Sequence, residues 1–206
     1  MTHKPMKIAV FTTYTEDYRE IANISVPQIK KYCEINGYDF HLYEGMVDDN
    51  RLKSLPTTQD HAAWQRIVLL EKLCHYDYIF YTDVDVIIMN NIKLESFIDE
   101  SDIYVMGKLG RFNSGAWLVK GNTCCDLIDK SFQRGKKPGD CWEQDAFNFA
   151  VKSSKIKLKS CWIQMFINHY KNNKDKCFIL HFPWGTFNDF SLKVDAMNHY
   201  LKESNF

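Results

Sequence analysis

Two aspartates separated by a single residue lie between two apolar segments. Tyr78–Thr82 is mostly apolar, Asp83 and Asp85 bracket Val84, and Val86–Met89 is apolar again. Since alternate side chains of a strand share a face, the two carboxylates can point the same way. Paired carboxylates at the end of a buried strand repel each other and are costly to desolvate, and a divalent cation removes both costs. Such pairs also occur on solvated turns, but the apolar flanks favour a site for Mg²⁺ or Mn²⁺.

A third metal ligand is expected from elsewhere in the chain, and His181 is the candidate. It follows the apolar segment Cys177–Leu180 and precedes Phe-Pro-Trp-Gly. Because imidazole is a better ligand for Mn²⁺ than for Mg²⁺, His181 favours Mn²⁺, with Mg²⁺ as the alternative. The other interpretation of His181 is a core histidine bonded to backbone.

The segment around Asp83 and Asp85 resembles the metal-binding motif of glycosyltransferases with the GT-A fold. The chain is similar, over nearly its whole length, to galactosyl- and mannosyltransferase families and to small glycosyltransferase domains of large algal (chlorella) viruses. This resemblance implies a UDP-sugar donor in contact with Asp83 and Val84, and a carbohydrate acceptor. In relatives with a glycogenin-type C-terminus, a histidine near the position of His181 is a metal ligand. A lysine for the phosphates follows six residues later, where this chain has Phe187, and Lys193 is the nearest downstream.

The resemblance also assigns a basic residue near the donor diphosphate, and Arg66 is at that place in the sequence. A guanidinium stays charged and can contact two oxygens at once. The alternative is a solvated helix charge that pairs with Glu71 or Asp60.

Two short segments are expected to contact the nucleotide and the donor sugar. Thr12, Thr13 and Tyr14 follow the first strand, at the edge where open α/β sheets bind ligands. The resemblance puts base and ribose there, with Tyr14 stacked on uracil, although an aromatic residue after a strand is also ordinary packing. Asn113-Ser114-Gly115 is similar to the family's segment beside the donor sugar, and the same residues also favour a turn that starts a strand.

A third segment, Glu143-Gln144-Asp145, opens a predicted helix. Carboxylates in a first turn are favoured by the helix dipole, so capping alone is one interpretation. The families carry an acidic residue and a glutamine here, which implies a position at the reacting face of the sugar. Asp145 is then the preferred base with Gln144 beside the anomeric carbon, and Glu143 is the alternative base. Trp184, followed by Gly185, offers an apolar face to the acceptor sugar or is part of the core.

Strand and helix patterns alternate along the chain, without a glycine-rich phosphate loop after the first strand. The alternation predicts an α/β fold, GT-A-like, with a mixed, mainly parallel sheet and helices on both faces. Besides the strand before Asp83, the predicted strands are Lys7–Thr13, Tyr38–Tyr43, Ile103–Gly107, Phe112–Lys120 and Phe178–Phe182. The range Ile156–Phe166 is also expected to carry a strand-like segment. The predicted helices are Ile21–Asn36, Gln59–His75, Leu94–Ile98, Thr123–Gln133, Trp142–Ser153 and Asp189–Lys202.

Size and charge limit the classes of function. The 206 residues, 45% hydrophobic, predict one domain over 1–206. Within it, residues 1–110 are expected to bind mainly the nucleotide and residues 111–206 mainly the acceptor. With 26 basic and 26 acidic residues and no basic stripe, no nucleic acid partner is expected. No segment reaches the about 20 apolar residues of a membrane span. Seven cysteines, an odd number without metal-like spacing, predict a reduced, cytoplasmic protein. The alternative is a fragment that lacks a membrane anchor, because many relatives with this motif carry one.

The sequence therefore predicts a metal-dependent hexosyltransferase that acts in glycan synthesis. Two other classes stay open. One is a metal-dependent nucleotidyltransferase or sugar-nucleotide hydrolase, which also uses paired carboxylates. The other is a non-catalytic carbohydrate-binding module, which would have no need for Asp83 and Asp85.

Overall fold

The first strand shows how the sheet acquires two buried faces. In the computed structural model, which describes residues 5–108, 111–170, 172–183, 186–187 and 189–206, β1 is Ile8–Tyr14 and is buried along its whole length. Ala9 and Phe11 pack with one hydrophobic cluster, whereas Ile8 and Val10 pack with another. This alternation follows from the two-residue period of a strand. The sheet is therefore covered on both sides.

The described residues form nine strands and seven α-helices. The remaining strands are β2 Asp39–Glu44, β3 Tyr78–Thr82, β4 Val86–Ile88, β5 Ile103–Lys108, β6 Arg111–Lys120, β7 Leu158–Ser160, β8 Met165–Phe166 and β9 Ile179–His181. The helices are α1 Arg19–Asn36, α2 Asn50–Lys53, α3 Thr58–Leu73, α4 Cys124–Arg134, α5 Gln144–Ser153, α6 Ile167–Tyr170 and α7 Phe190–Glu203. Short 3-10 turns are Glu16–Tyr18, Leu94–Phe97, Gly121–Thr123 and Lys174–Lys176.

Six strands form the central sheet in the order β2-β1-β3-β6-β5-β7. The pairs β1–β2, β1–β3 and β5–β7 are parallel, and β3–β6 and β5–β6 are antiparallel. The predicted mixed, mainly parallel sheet is thus confirmed. Helices α3, α4 and α5 cover one face, and α1 packs on the other.

A second sheet of three strands, in the order β4-β9-β8, was not expected from the sequence. Strand β4 is antiparallel to β9, which is parallel to β8. Its strands pack with α1 and the central sheet on one face and with α7 on the other. The segment Ile156–Phe166, expected to carry a strand, contains two short ones, of which β7 belongs to the central sheet and β8 to this second sheet.

Most predicted helices are present with shifted ends. Gly37 ends α1 in the left-handed region at φ 74°, where a residue without a side chain is favoured. The helix predicted from Trp142 begins at Gln144, and Leu94–Ile98 is only a 3-10 turn. No helix among the described residues combines the length and apolar character needed to cross a membrane.

Candidate functional site

The two aspartates lie where the chain passes from the central sheet to the second sheet. Asp83 directly follows β3, and its backbone N–H donates to the carbonyl of Gly115 on β6, at 2.7 Å. The carbonyl of Asp85 accepts from the N–H of Phe182, at 2.9 Å, just after β9. Because Val86 is paired with His181 in this antiparallel register, the histidine lies across from the aspartate pair. The crossing between sheets thus assembles residues that are about a hundred positions apart.

Three side chains converge at this crossing. His181 Nε2 lies 3.3 Å from Asp85 Oδ1 and 3.8 Å from Asp83 Oδ2. One ligand atom from each residue falls within 4.8 Å of the others. The His181 ring is 3% exposed and lies against Phe166 at a centroid distance of 5.6 Å. Two carboxylates and an imidazole so placed fit a divalent cation.

The second oxygen of each aspartate is held by the protein itself. Asp83 Oδ1 accepts from the Tyr81 hydroxyl and lies 2.9 Å from Arg66 Nη1. Asp85 Oδ2 accepts from the ammonium of Lys193, at 2.8 Å. Consequently the oxygens directed at His181 are Asp83 Oδ2 and Asp85 Oδ1. Each aspartate therefore offers one oxygen to a metal.

Arg66 reaches this site from α3. Besides Asp83, its Nη1 lies 3.4 Å from Glu143 Oε1 and donates to the carbonyl of Ser114 at 3.3 Å. The guanidinium also lies over the ring of Tyr81, 4.8 Å from its centroid. A cation at this position offsets part of the charge of two buried carboxylates.

The alternative partners proposed for Arg66 are both engaged elsewhere. Glu71 lies 2.6 Å from Arg51, and Asp60 lies 3.0 Å from Lys136. Arg66 itself is directed inward, with only 15% of its side chain exposed. The interpretation of Arg66 as a solvated helix charge is therefore wrong.

Burial and neighbouring charges act in opposite directions on the three acids. Burial would raise the pKa of Asp85, but His181 and Lys193 together hold that pKa well below its usual range. At Asp83, burial outweighs the opposing effect of Arg66, and the pKa is raised. Burial also raises the pKa of Glu143 against the attraction of Arg66. The raised pKa of Asp83 and of Glu143 indicates that Arg66 offsets their charges only in part, and a bound cation would offset them further.

Gly115 lies so close to the histidine that no larger residue fits. A Cβ built on it would be 2.3 Å from His181 Cε1 and 3.0 Å from Asp83 Oδ2. Its N–H donates to Asn113 Oδ1 at 2.8 Å, and the same oxygen accepts from Gln164 Nε2 at 3.0 Å. Since all three residues of Asn113-Ser114-Gly115 lie within β6, the alternative of a turn that starts the strand is wrong.

The three candidates at the start of α5 have different surroundings. Gln144 Oε1 accepts from the N–H of Ser114 at 3.1 Å, which joins it to the segment beside the aspartates. Glu143 is 2% exposed and faces Arg66, and Asp145 Oδ2 accepts from the Cys141 N–H at 2.6 Å. Their catalytic roles stay predictions.

The residues predicted to bind the nucleotide lie at the adjacent strand end. In the parallel register Phe11 is paired with Tyr81, so Thr12 and Thr13 lie beside the end of β3. Thr12 is fully buried, and its hydroxyl has no hydrogen-bond partner in the described part of the chain. Thr13 Oγ1 accepts from Gln65 Nε2 at 2.7 Å. Their role in donor binding stays a prediction.

Two other predicted donor contacts are largely buried. Tyr14 is 7% exposed and Val84 is 4% exposed, and both pack in the cluster that includes α1 and the second sheet. Their contact with the donor stays a prediction. The predicted acceptor residues Trp184 and Gly185 lie outside the described residues.

Lys193 and Tyr81 were not predicted as site residues. Lys193 is fully buried, and its position in the sequence carried a signal, because in α7 it falls on the apolar stripe with Phe190, Met197 and Leu201. A lysine at a core-facing position requires a buried partner. Tyr81 carried no comparable signal, because an apolar strand tolerates a tyrosine anywhere.

Comparison with solved structures shows which fold this is. A glycosyltransferase involved in the glycosylation of the major capsid of PBCV-1 superposes with a TM-score of 0.69 at 16% identity, over 93% of this chain and 99% of that chain. The galactosyltransferase LgtC, in complex with donor and acceptor sugar analogues, gives 0.64 at 11% identity, over 96% of each chain. The sequence matches no protein-family model and no curated protein.

A mutant of Drosophila β1,4-galactosyltransferase 7 in complex with manganese, UDP-Gal and xylobiose is also similar. Its TM-score is 0.51 at 19% identity, over 76% of this chain and 65% of that chain. These identities establish a shared fold. The chain has the fold of GT-A-type glycosyltransferases, as predicted.

Proposed function

We propose that this protein is a metal-dependent glycosyltransferase that moves a hexose-type sugar from a UDP-sugar to a carbohydrate hydroxyl, in glycan synthesis. The observation that carries the proposal is the convergence of Asp83 Oδ2, Asp85 Oδ1 and His181 Nε2 at the junction of two sheets, on a GT-A fold. A site of this type binds nucleotide diphosphates through a cation rather than through a glycine-rich loop.

Asp83, Asp85 and His181 would hold the ion, with Mn²⁺ preferred because an imidazole is among the ligands. When bound, the metal neutralises the diphosphate that departs with the nucleotide. Support comes from the donor atoms themselves, since one oxygen per aspartate is free of the neighbouring cations. The similar fold that binds manganese and UDP-Gal gives further support.

The donor would lie along the ends of β1, β3 and β6. Base and ribose would contact Thr12, Thr13 and Tyr14, and Val84 would lie beside the donor. Asn113, Ser114 and Gly115 line the donor sugar, and Arg66 offsets the charge of Asp83 and Glu143 beside the diphosphate. The division of the chain, with 1–110 mainly for the nucleotide and 111–206 mainly for the acceptor, is part of this proposal.

Gln144 is proposed to lie at the reacting face of the sugar, because its side chain is bonded to Ser114 beside the aspartates. Glu143 is buried against Arg66 and is best suited to position that guanidinium. Asp145 supplies the remaining carboxylate as a base for the acceptor hydroxyl. Trp184 and Gly185 remain the proposed acceptor contacts.

Calorimetric titration of UDP into the wild type, with Mn²⁺ and with EDTA, tests the proposal. Micromolar binding that requires both Mn²⁺ and the Asp85 carboxylate is expected, so Asp85→Ala should abolish it. Asp102→Ala is the matched control, because Asp102 is another lysine-paired carboxylate, 3.2 Å from Lys120 and distant from this site. Absence of UDP binding under all conditions excludes a UDP donor, and GDP and dTDP are then tested.

Product analysis separates the other classes of function. Incubation with a UDP-sugar and an acceptor sugar should give a new glycosidic linkage and UDP. Release of sugar phosphate or free sugar without transfer would identify a hydrolase. Sugar binding that survives the change of both Asp83 and Asp85 to alanine, without turnover, would identify a binding module.

A further inference from the structure

A buried lysine from the C-terminal helix contacts one of the two aspartates. Lys193 lies in α7, its side chain is 0% exposed, and its ammonium is 2.8 Å from Asp85 Oδ2. The ring of Tyr18 lies beside it, 5.6 Å from the ammonium to the centroid. A charge in such surroundings is tolerated only when it is paired. The pair thus joins α7 to the end of β3.

The hydrogen bond from the ammonium goes to one oxygen of the carboxylate, Oδ2. Asp85 Oδ1 is the oxygen that lies 3.3 Å from His181 Nε2, whereas Oδ2 accepts from Lys193. Lys193 therefore leaves the metal-facing oxygen exposed to a cation while it fixes the rotation of the carboxylate. The same division exists at Asp83, where Arg66 and Tyr81 contact Oδ1.

We infer that Lys193 is an internal counter-cation of this site, which neutralises Asp85 when no metal is bound and restricts Asp85 to one metal-facing oxygen. The inference rests on the proposed metal site but not on glycosyl transfer. Lysine and metal both offset the charge of Asp85, so the lysine lets the protein fold without metal. Because the Lys193 ammonium and the metal repel each other, Lys193 also lowers the affinity of the site for the metal.

The inference predicts that folding becomes metal-dependent when the lysine charge is removed. Lys193→Met retains an unbranched apolar chain but leaves Asp85 buried without its cation, which is strongly destabilising. In EDTA, thermal unfolding should show a Tm roughly 10 °C below that of the wild type. Mn²⁺ should raise the Tm of this variant much more than that of the wild type.

Lys120→Met is the matched control, because Lys120 pairs with Asp102 at 3.2 Å at the other end of β6. Its Tm should respond to Mn²⁺ as the wild type does. Binding of Mn²⁺, followed by the electron paramagnetic resonance signal of the free ion, should be roughly tenfold tighter in Lys193→Met than in the wild type. Equal Tm shifts and equal affinities would overturn the inference and leave the metal site intact.

A double variant separates charge from packing. In EDTA, Asp85→Asn combined with Lys193→Met removes both charges and should be more stable than Lys193→Met alone. If Lys193→Met does not fold at all, recovery of folding in the double variant supports the inference, and failure of both overturns it. If Mn²⁺ binds to neither the wild type nor Lys193→Met, the metal site and the inference both fail.

Discussion

Replacement of Gly115 by alanine tests the geometry of the site most directly. The added Cβ would lie 2.3 Å from His181 Cε1. Ordinary contact between carbon atoms needs about 3.5 Å, so the ring has to retreat by roughly 1 Å. The ring is 3% exposed and packed against Phe166, which leaves little room for this movement. The substitution therefore displaces the proposed metal ligand or the strand that carries it.

Two quantities should change in Gly115→Ala. Over-packing of a close-packed interior costs about 1–3 kcal/mol of unfolding free energy. Displacement of a ligand by roughly 1 Å should weaken Mn²⁺ binding by about 10- to 100-fold, the range seen when groups that orient a ligand are lost. Denaturant unfolding in EDTA measures the first effect, and calorimetric titration with Mn²⁺ measures the second.

Gly121→Ala provides a matched control just beyond the other end of β6. Its Cβ would lie 2.0 Å from the carbonyl oxygen of Tyr76, at the end of β6 away from the aspartates. This variant should lose stability without a change in the Mn²⁺ affinity of the folded protein. If Gly115→Ala binds Mn²⁺ as tightly as the wild type, His181 is not a ligand at the position described, and the reasoning is refuted.

Three further predictions concern the remaining residues of the site. Arg66→Met leaves Asp83 and Glu143 buried without their cation and should cost about 3–5 kcal/mol of unfolding free energy, measured by denaturant unfolding. A smaller loss when Glu143→Gln is added would confirm the charge coupling. His181→Asn should shift the preference from Mn²⁺ towards Mg²⁺, because an oxygen replaces nitrogen, and competition titrations with unchanged metal selectivity would contradict this. Gln144→Ala should lower kcat and leave the UDP affinity within a factor of about two, and an equal loss of UDP affinity would place Gln144 in ground-state donor binding instead.

Local sequence patterns predicted the polar residues that interrupt or end apolar segments. Asp83 and Asp85 interrupt apolar segments, and His181 ends one, so each signals a buried polar site without knowledge of the fold. The mostly apolar segment Lys7–Thr13 similarly predicted the first strand. Such signals depend on neighbours in sequence, and they were sufficient for the central sheet.

The second sheet could not be predicted in the same way. Strand β4 has three residues, Val86–Ile88, all apolar, so its pattern indicates burial but not a partner. Its neighbour β9 lies more than ninety positions later, and register between such distant segments is set by packing rather than by local preference. For the same reason Lys193 was recognised as a downstream lysine but not as the partner of Asp85.

The charges of the described cluster suggest an order of binding. Asp83, Asp85 and Glu143 carry a formal charge of −3, and Arg66 and Lys193 carry +2. Together these five residues sum to −1 and should repel a nucleotide diphosphate. A divalent cation reverses the sign, so UDP should bind tightly only after the metal. By linkage UDP then tightens Mn²⁺ binding by the same factor, and a UDP affinity that Mn²⁺ leaves unchanged in calorimetric titration would contradict a shared site.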